Sequence, residues 1–248
     1  MLNNENRSHD RDRDSIGAFL FDVDGVLADT ARLHERAWRA IARREGLPFD
    51  DAIARELRGR SREESLRRIL GNRRVPLARF NAIMEAKNAE YVRLVDGLTA
   101  EDTLPGAREL LVELNERGIR TAAVSASKNA RRVLERLGLS GVSGRYPPFL
   151  ETIVDGNDEA VERLHRYLSA AAALRVDPGR CVVVEDSQAG IAAARQFGMR
   201  SIGLGTNGQL VGATLVFESL RGVEARHLLH WLRGAPDKSD QPETVLTF

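Results

Sequence analysis

The sequence predicts a doubly wound, mostly parallel α/β fold with an inserted helical cap. Two observations give the sheet: short, wholly apolar runs recur along the chain, and helical patterns fall between them. Runs of this length and polarity suit parallel strands buried on both faces, and their alternation with helices argues a doubly wound sheet. A third observation gives the cap: from Thr30 to Thr103 the pattern is helical and rich in Arg and Glu, with no convincing strand.

The elements follow in order. Met1–Asp14 alternates charges of both signs and has nothing to pack, so a disordered head is expected. Ala18–Phe21 is the first strand. Pro48, Gly59, Gly71 and Pro76 divide the cap into four helices. Gly106–Arg117 is the next helix, Ile119–Ser125 the second strand, and Asn129–Leu137 a helix with Gly138 as its stop. Gly141–Phe149 is irregular, and Glu151–Val154 is a further strand leading into Asp155-Gly-Asn-Asp158. Cys181–Glu185, Arg200–Leu204 and Thr214–Phe217 complete the sheet, with a helix over Gln188–Phe197 that stops at Gly198. Ala235–Phe248 carries two prolines and is expected to be loose. The expected division is therefore a head 1–14, a core 15–29 and 104–234, a cap 30–103 and a tail 235–248, with no internal repeat.

A length of 248 residues falls between one and two domains. With 37 Lys and Arg against 36 Asp and Glu, the net charge of +1 gives no whole-chain argument for nucleic acid or an anionic membrane. No apolar run approaches the ~20 residues of a membrane span, and the head has no apolar stretch of the secretory kind. The single cysteine, Cys181, excludes an internal disulfide or a Cys-rich zinc site and suits a buried, inert thiol. A cytoplasmic setting is expected. So is a monomer, because no long exposed apolar helix face stands out.

In open α/β sheets, ligands bind beyond the carboxyl ends of the strands. Asp22 and Asp24 follow the first run, with Gly25 next. Two carboxylates at i and i+2 can divide labour, one attacking and one moving a proton, and Gly25 allows a tight turn. Ser125-Ala126-Ser127-Lys128-Asn129 follows the second run, where hydroxyls and backbone N–H groups at a helix start favour phosphate. Glu185 and Asp186 end the third, making an oxygen-rich site suited to Mg²⁺. Each piece alone has an ordinary explanation: Asp-x-Asp as a surface turn, Ser as a helix cap, Glu-Asp as dipole compensation. Their placement at three strand ends favours one joint site.

The stretch Phe21-Asp-Val-Asp-Gly-Val-Leu-Ala-Asp-Thr30 resembles the first motif of the haloacid dehalogenase superfamily, whose phosphotransferases use an aspartate nucleophile. Within it, His34-Glu-Arg-Ala-Trp38, Gly59-Arg-Ser-Arg-Glu-Glu-Ser65, Lys87-Asn88 with Tyr91, Ser125–Asn129 and Glu185-Asp-Ser-Gln-Ala-Gly190 are similar to the β-phosphoglucomutase group. The resemblance runs from Ile16 to Leu232 and implies a Rossmann-like core. It implies that Asp22 is the nucleophile and Asp24 the general acid/base. Mg²⁺ would sit on Asp22, the Asp24 main-chain carbonyl and Asp186, with Glu185 close by. Ser125 and Ala126 would hold the phosphoryl group in transit. Arg62, Ser127, Lys128 and Asn129 would grip the other phosphate. Trp38, Ser65 and Lys87 would line the sugar side, and His34 would orient Asp24 or link to the hinge at Asp29-Thr30. Without that resemblance, His34 and Trp38 suit packing roles and Arg62 a solvated helix face.

The chain departs from the family at one point. A Lys-Pro-x-Pro-Asp stretch, whose ammonium bridges nucleophile and phosphate, is missing, and Val161-Glu-Arg-Leu-His165 stands in its place. Three readings compete: Arg163, less readily Arg166 or His165, supplies the cation; Mg²⁺ and Ser125 suffice; or the chain binds a sugar phosphate without turning it over. The function expected is Mg²⁺-dependent interconversion of β-glucose 1-phosphate and glucose 6-phosphate. A phosphatase acting on small phosphate esters and a non-catalytic sugar-phosphate binder are the alternatives.

Overall fold

A computed structural model describes residues 15–57, 60–140, 149–158, 165–206 and 209–234. The expected head and tail, and Arg163, lie outside the described residues. Six strands form one parallel sheet: β1 (Ala18–Asp22), β2 (Arg120–Val124), β3 (Thr152–Val154), β4 (Cys181–Glu185), β5 (Arg200–Leu204) and β6 (Leu215–Phe217). Their spatial order is β3-β2-β1-β4-β5-β6. The chain winds outward from β1 through β2 to β3, then crosses back to β4 on the other side of β1. That reversal between β1 and β4 opens a crevice at the carboxyl ends of the two strands.

Between β1 and β2 run five α-helices, α1 (Thr30–Glu45), α2 (Asp51–Glu56), α3 (Arg62–Leu70), α4 (Leu77–Val95) and α5 (Ala107–Glu116). After β2 come α6 (Ala130–Arg136), α7 (Arg166–Ala173), α8 (Gln188–Gln196) and α9 (Ala225–Gly234). The sheet is covered as its sequence demands. All five residues of β4 and the first four of β1 are buried. α7 packs on β1, β2 and β3, while α8 packs on β4 and β5. One face of the core gathers Leu20, Val124, Val183, Tyr167, Ala170 and Leu174.

The described residues divide into two compact units. One holds the sheet and takes the chain up to Ala28 and again from Thr99; the other is Asp29–Leu98. The helical stretch was expected to run to Thr103. Instead Thr103 pairs antiparallel with Ala28, and Leu104 donates its N–H to Leu27 O at 3.0 Å, which ties 99–104 to the sheet. Within the helical unit α1 packs on α4. Its core includes Trp38, Ile41, Leu66, Ile69, Phe80 and Ile83. Ser61 and Glu64 close a capping box at the start of α3, with bonds of 3.2 and 2.8 Å. Such a cap stabilises a helix start by about 1 kcal/mol.

Candidate active site

Strand register builds the core half of the site. Asp22 stands opposite Val124 on β2, and Phe21 opposite Val184 on β4. Asp22, Glu185 and the residue after Val124, Ser125, therefore reach the carboxyl edge together. Among the described residues, Asp22, Glu185 and Asp186 each offer a carboxylate oxygen within 4.8 Å of the others. Their proximity is costly without a counter-ion. Burial, then Glu185, Asp24 and Asp186, hold the Asp22 carboxyl well above the ordinary carboxylate range. Burial, then Glu185 and Asp24, push Asp186 up to about 6. Hard, anionic oxygen donors packed this closely are the chemistry that a small divalent cation satisfies.

Glu185 is held on both oxygens. The Tyr167 hydroxyl donates to Oε1 at 2.9 Å and the Ser187 N–H to Oε2 at 2.8 Å. Burial, then the charges of Glu185 and Asp22, raise the Tyr167 phenol well above its usual range, so it remains a donor. Ser187 also caps α8, its Oγ accepting from Gly190 N at 3.1 Å.

Gly25 has φ +84°, and a Cβ there would lie 1.9 Å from Asp186 Oδ2. Gly25→Ala is therefore expected to push the Asp186 carboxylate aside. The left-handed backbone adds about 1–2 kcal/mol of strain for a residue bearing a Cβ. The expected result is a lower Tm and a smaller Tm rise on adding Mg²⁺. An unchanged Mg²⁺-dependent rise would refute it.

The Ser125–Asn129 loop is stitched by its own hydroxyls. Ser125 Oγ accepts from Ser127 N at 3.0 Å and Ser127 Oγ from Asn129 N at 3.2 Å. Ser125 is buried and its N–H donates to Val154 O at 2.9 Å, while Ala126 and Lys128 are exposed. α6 begins only after this loop, at Ala130, and has seven residues. So the loop's own N–H and O–H groups, more than a helix dipole, are what an anion meets there. The 155–157 turn braces the loop from below: Asn157 Nδ2 donates to Lys128 O at 2.9 Å and Gly156 N to Ser127 O at 3.2 Å. Buried Asp155 accepts from Asn157 N at 3.0 Å and pairs with Arg131 at 3.0 Å.

The helical unit holds a second polar group. Lys87 sits in the buried row of α4, between Ile83 and Tyr91, and is 2% exposed. Its Nζ lies 2.5 Å from His34 Nδ1 and 4.9 and 5.4 Å from the ring centres of Tyr91 and Trp38. These are cation–π distances. The His34 ring stacks on Tyr91 with centroids 4.0 Å apart. Burial, then Lys87 and Arg62, push His34 down to about 3, so its imidazole is neutral and Nδ1 accepts from the ammonium. Arg62 donates to Asn88 Oδ1 at 2.7 Å. Ser65 is buried one turn along α3.

Of the expected site residues, Asp22, Asp24, Glu185 and Asp186 come together in the core, with Ser125–Asn129 on the neighbouring strand end. His34, Trp38, Arg62, Ser65 and Lys87 lie in the helical unit, where His34 and Trp38 flank Lys87. Arg163 lies outside the described residues. Of its two substitutes, His165 stands at the N-cap position of α7 and Arg166 is the first residue of that helix; among the described residues, the charges that shift Asp22 are those of Glu185, Asp24 and Asp186. The sequence reading overlooked Tyr167. The available signal was a lone hydroxyl-bearing aromatic in the alanine-rich Arg166–Ala173 helix.

Comparison with known proteins places these residues in context. The family model of haloacid dehalogenase-like hydrolases matches residues 16–198. The β-phosphoglucomutase of Bacillus subtilis is 38% identical over 205 residues, covering 80% of this chain and 88% of that protein. The validoxylamine A 7'-phosphate phosphatase of Streptomyces hygroscopicus subsp. limoneus is 29% identical over 218 residues, covering 84% and 96%. The crystal structure of β-phosphoglucomutase from Clostridium difficile superposes with a TM-score of 0.76 at 35% identity, covering 88% of this chain and 98% of that one.

Proposed function

The chain belongs to the haloacid dehalogenase-like hydrolase family, and within it we propose a Mg²⁺-dependent phosphoglucomutase that interconverts β-glucose 1-phosphate and glucose 6-phosphate. The observation that carries this reading is the pair Asp22 and Asp24 beside Glu185 and Asp186 at the β1/β4 crevice, in a chain 38% identical to a β-phosphoglucomutase.

The aspartyl phosphate of Asp22 is attacked by the C6 hydroxyl of β-glucose 1-phosphate, whose proton goes to Asp24; the bond from phosphorus to the Asp22 oxygen breaks and glucose 1,6-bisphosphate forms. After the bisphosphate turns over, Asp22 attacks the phosphorus at C1; the bond from phosphorus to the C1 oxygen breaks, Asp24 gives its proton to that oxygen, and glucose 6-phosphate leaves with the aspartyl phosphate restored. Turnover thus passes through glucose 1,6-bisphosphate, so either phosphate must fit the distal grip. Ser125 and the Ala126 N–H hold the phosphoryl oxygens in transit. Ser127, Lys128 and Asn129 take the other phosphate; in the helical unit, the Arg62 guanidinium is suited to bidentate phosphate contact. Trp38, Ser65, Lys87 and His34 select the sugar.

Asp22, Asp186 and the Asp24 carbonyl would hold Mg²⁺, with Glu185 beside them. When bound, the ion supplies neutralising charge to the phosphoryl oxygens. Arg163 takes the role of the lysine missing from the family pattern. Losing a cation from such a site costs on the order of 10²–10³ in rate, so Arg163→Ala at unchanged turnover would remove it from the mechanism.

The test follows ³¹P signals after mixing protein, Mg²⁺, β-glucose 1-phosphate and a trace of glucose 1,6-bisphosphate. Glucose 6-phosphate supports the mutase. Release of inorganic phosphate supports a phosphatase, the reading that similarity to the validoxylamine phosphatase favours. Binding without conversion overturns both.

Metal uptake has a pH signature. Asp22 and Asp186 have folded-state pKa values raised above the unfolded ones. The stability that they contribute is full below the unfolded value, about 3.9. It is lost as pH rises, for Asp186 through about 6. Mg²⁺ replaces the lost protons, so its Tm increment is expected to be larger at pH 7.5 than at pH 5. At a hundredfold excess over Kd, binding is worth about 2.7 kcal/mol. Equal increments at both pH values in thermal melts, with and without EDTA, would contradict this.

A further inference from the structure

We propose that Tyr167 is a positioning residue of the metal site: through its hydrogen bond to Glu185 it fixes the carboxylate cluster in the arrangement that binds a divalent cation. The inference rests on the metal reading above and adds a residue to it. Tyr167 is 5% exposed, on the helix that packs over β1, β2 and β3. Its hydroxyl nonetheless reaches the end of β4, 2.9 Å from Glu185 Oε1.

Glu185 is constrained from three sides. Tyr167 holds Oε1, the Ser187 N–H holds Oε2 at 2.8 Å, and α8 closes on the carboxylate at Gly190. A Cβ on Gly190 would lie 1.8 Å from Oε1 and 2.0 Å from Cδ. A glutamate has three side-chain torsions; here none is left loose. Both donors are neutral, so they orient the carboxylate without cancelling its charge. That charge remains for a cation shared with Asp22 and Asp186, whose oxygens lie within 4.8 Å. Hydrogen bonds that orient the carboxylates of a metal site commonly change affinity by 10–100-fold when removed.

The rival explanation is that Tyr167 fills the core and merely satisfies its own hydroxyl. Its ring does pack among Ala18, Leu20, Val183 and Ala194. Tyr167→Phe keeps that ring and removes only the donor. Mn²⁺ affinity of the full chain, without substrate, is measured from the free-ion electron paramagnetic resonance signal for wild type, Tyr167→Phe, Glu185→Gln and the double variant. The expected result is an about tenfold weaker Kd for Tyr167→Phe, with no further loss when it is added to Glu185→Gln. An unchanged Kd in Tyr167→Phe overturns the proposal and leaves the metal reading standing. Losses that multiply in the double variant also overturn it, because the effect then bypasses Glu185. No Mn²⁺ uptake by wild type removes the metal reading and this inference with it. Gly190→Ala, which displaces Oε1 from the other side, is a second route should Tyr167→Phe not fold: a similar weakening supports the proposal, and wild-type affinity overturns it.

Discussion

Asp22→Asn is expected to abolish turnover and, in the same protein, to raise the Tm measured in EDTA at pH 7.5. The first effect follows from chemistry. An amide oxygen is a poor nucleophile, and removing the nucleophile of a covalent mechanism costs on the order of 10⁵–10⁶ in rate. The second follows from electrostatics. The Asp22 carboxyl is half-buried and faces Glu185, Asp24 and Asp186; desolvation and these charges together hold its pKa well above the usual carboxylate range. A folded pKa raised in this way means that stability falls as pH rises, because the folded state binds the proton more tightly than the unfolded one. The neutral amide never bears that cost. Activity and metal-free stability should thus move in opposite directions, which simple misfolding would not produce. Activity within tenfold of wild type would remove Asp22 as nucleophile. A lower Tm in EDTA would mean that the carboxylate cluster is not the source of strain that its geometry implies.

The sheet was legible because its strands are buried on both faces. Cys181–Glu185 contains no alternation to misread: every residue is apolar until the last, and the last is the one at the crevice. Placing functional groups immediately after each apolar run works because parallel register aligns those ends, as Asp22 opposite Val124 illustrates. Lys87 was reached through the family resemblance alone, although its place on the helix carried a signal of its own. The buried row of α4, Phe80, Ile83, Lys87, Tyr91 and Val95, follows helical spacing, so a lysine in the apolar stripe marks a buried cation. What escaped the sequence depends on contacts across the fold. The Tyr167 hydroxyl meets Glu185 eighteen positions later, on a different element. Asn157 braces Lys128 across 29 positions. Neither pairing leaves a periodic or spaced signal, since each depends on how α7 and the 155–157 turn lie against neighbouring strands. The end of the helical stretch was misplaced for the same reason. Thr103 belongs with the sheet through one bridge to Ala28, and nothing in the local pattern announces a partner that distant.

Asp24→Asn is expected to separate the two halves of the chemistry. Asp24 stands two residues beyond Asp22, close enough for its charge to raise both Asp22 and Asp186. Gly25 turns the chain directly after it, with its N–H donating to Ala28 O at 2.8 Å, so the Asp24 side chain is carried on a fixed loop. A group in that position is suited to moving a proton to and from a sugar oxygen. An asparagine keeps the backbone carbonyl and the side-chain shape but has no proton to give. Conversion of β-glucose 1-phosphate should therefore fall by about 10²–10⁴, the usual contribution of general acid/base catalysis. Acetyl phosphate provides the contrast. Its leaving acetate is stable as an anion and needs no proton, so phosphorylation of Asp22 from acetyl phosphate should persist at close to the wild-type rate. Rapid acid quenching and ³¹P detection of the aspartyl phosphate would measure it. Equal losses with both donors would contradict the assignment and give Asp24 a role in holding Asp22 or the cation instead. The variant also loses one negative charge from the cluster, which lowers the acidity shift of Asp22. A modest gain in acetyl phosphate reactivity at the acidic end of the pH profile, as more Asp22 is then ionised, is the accompanying sign that the charge coupling operates in solution.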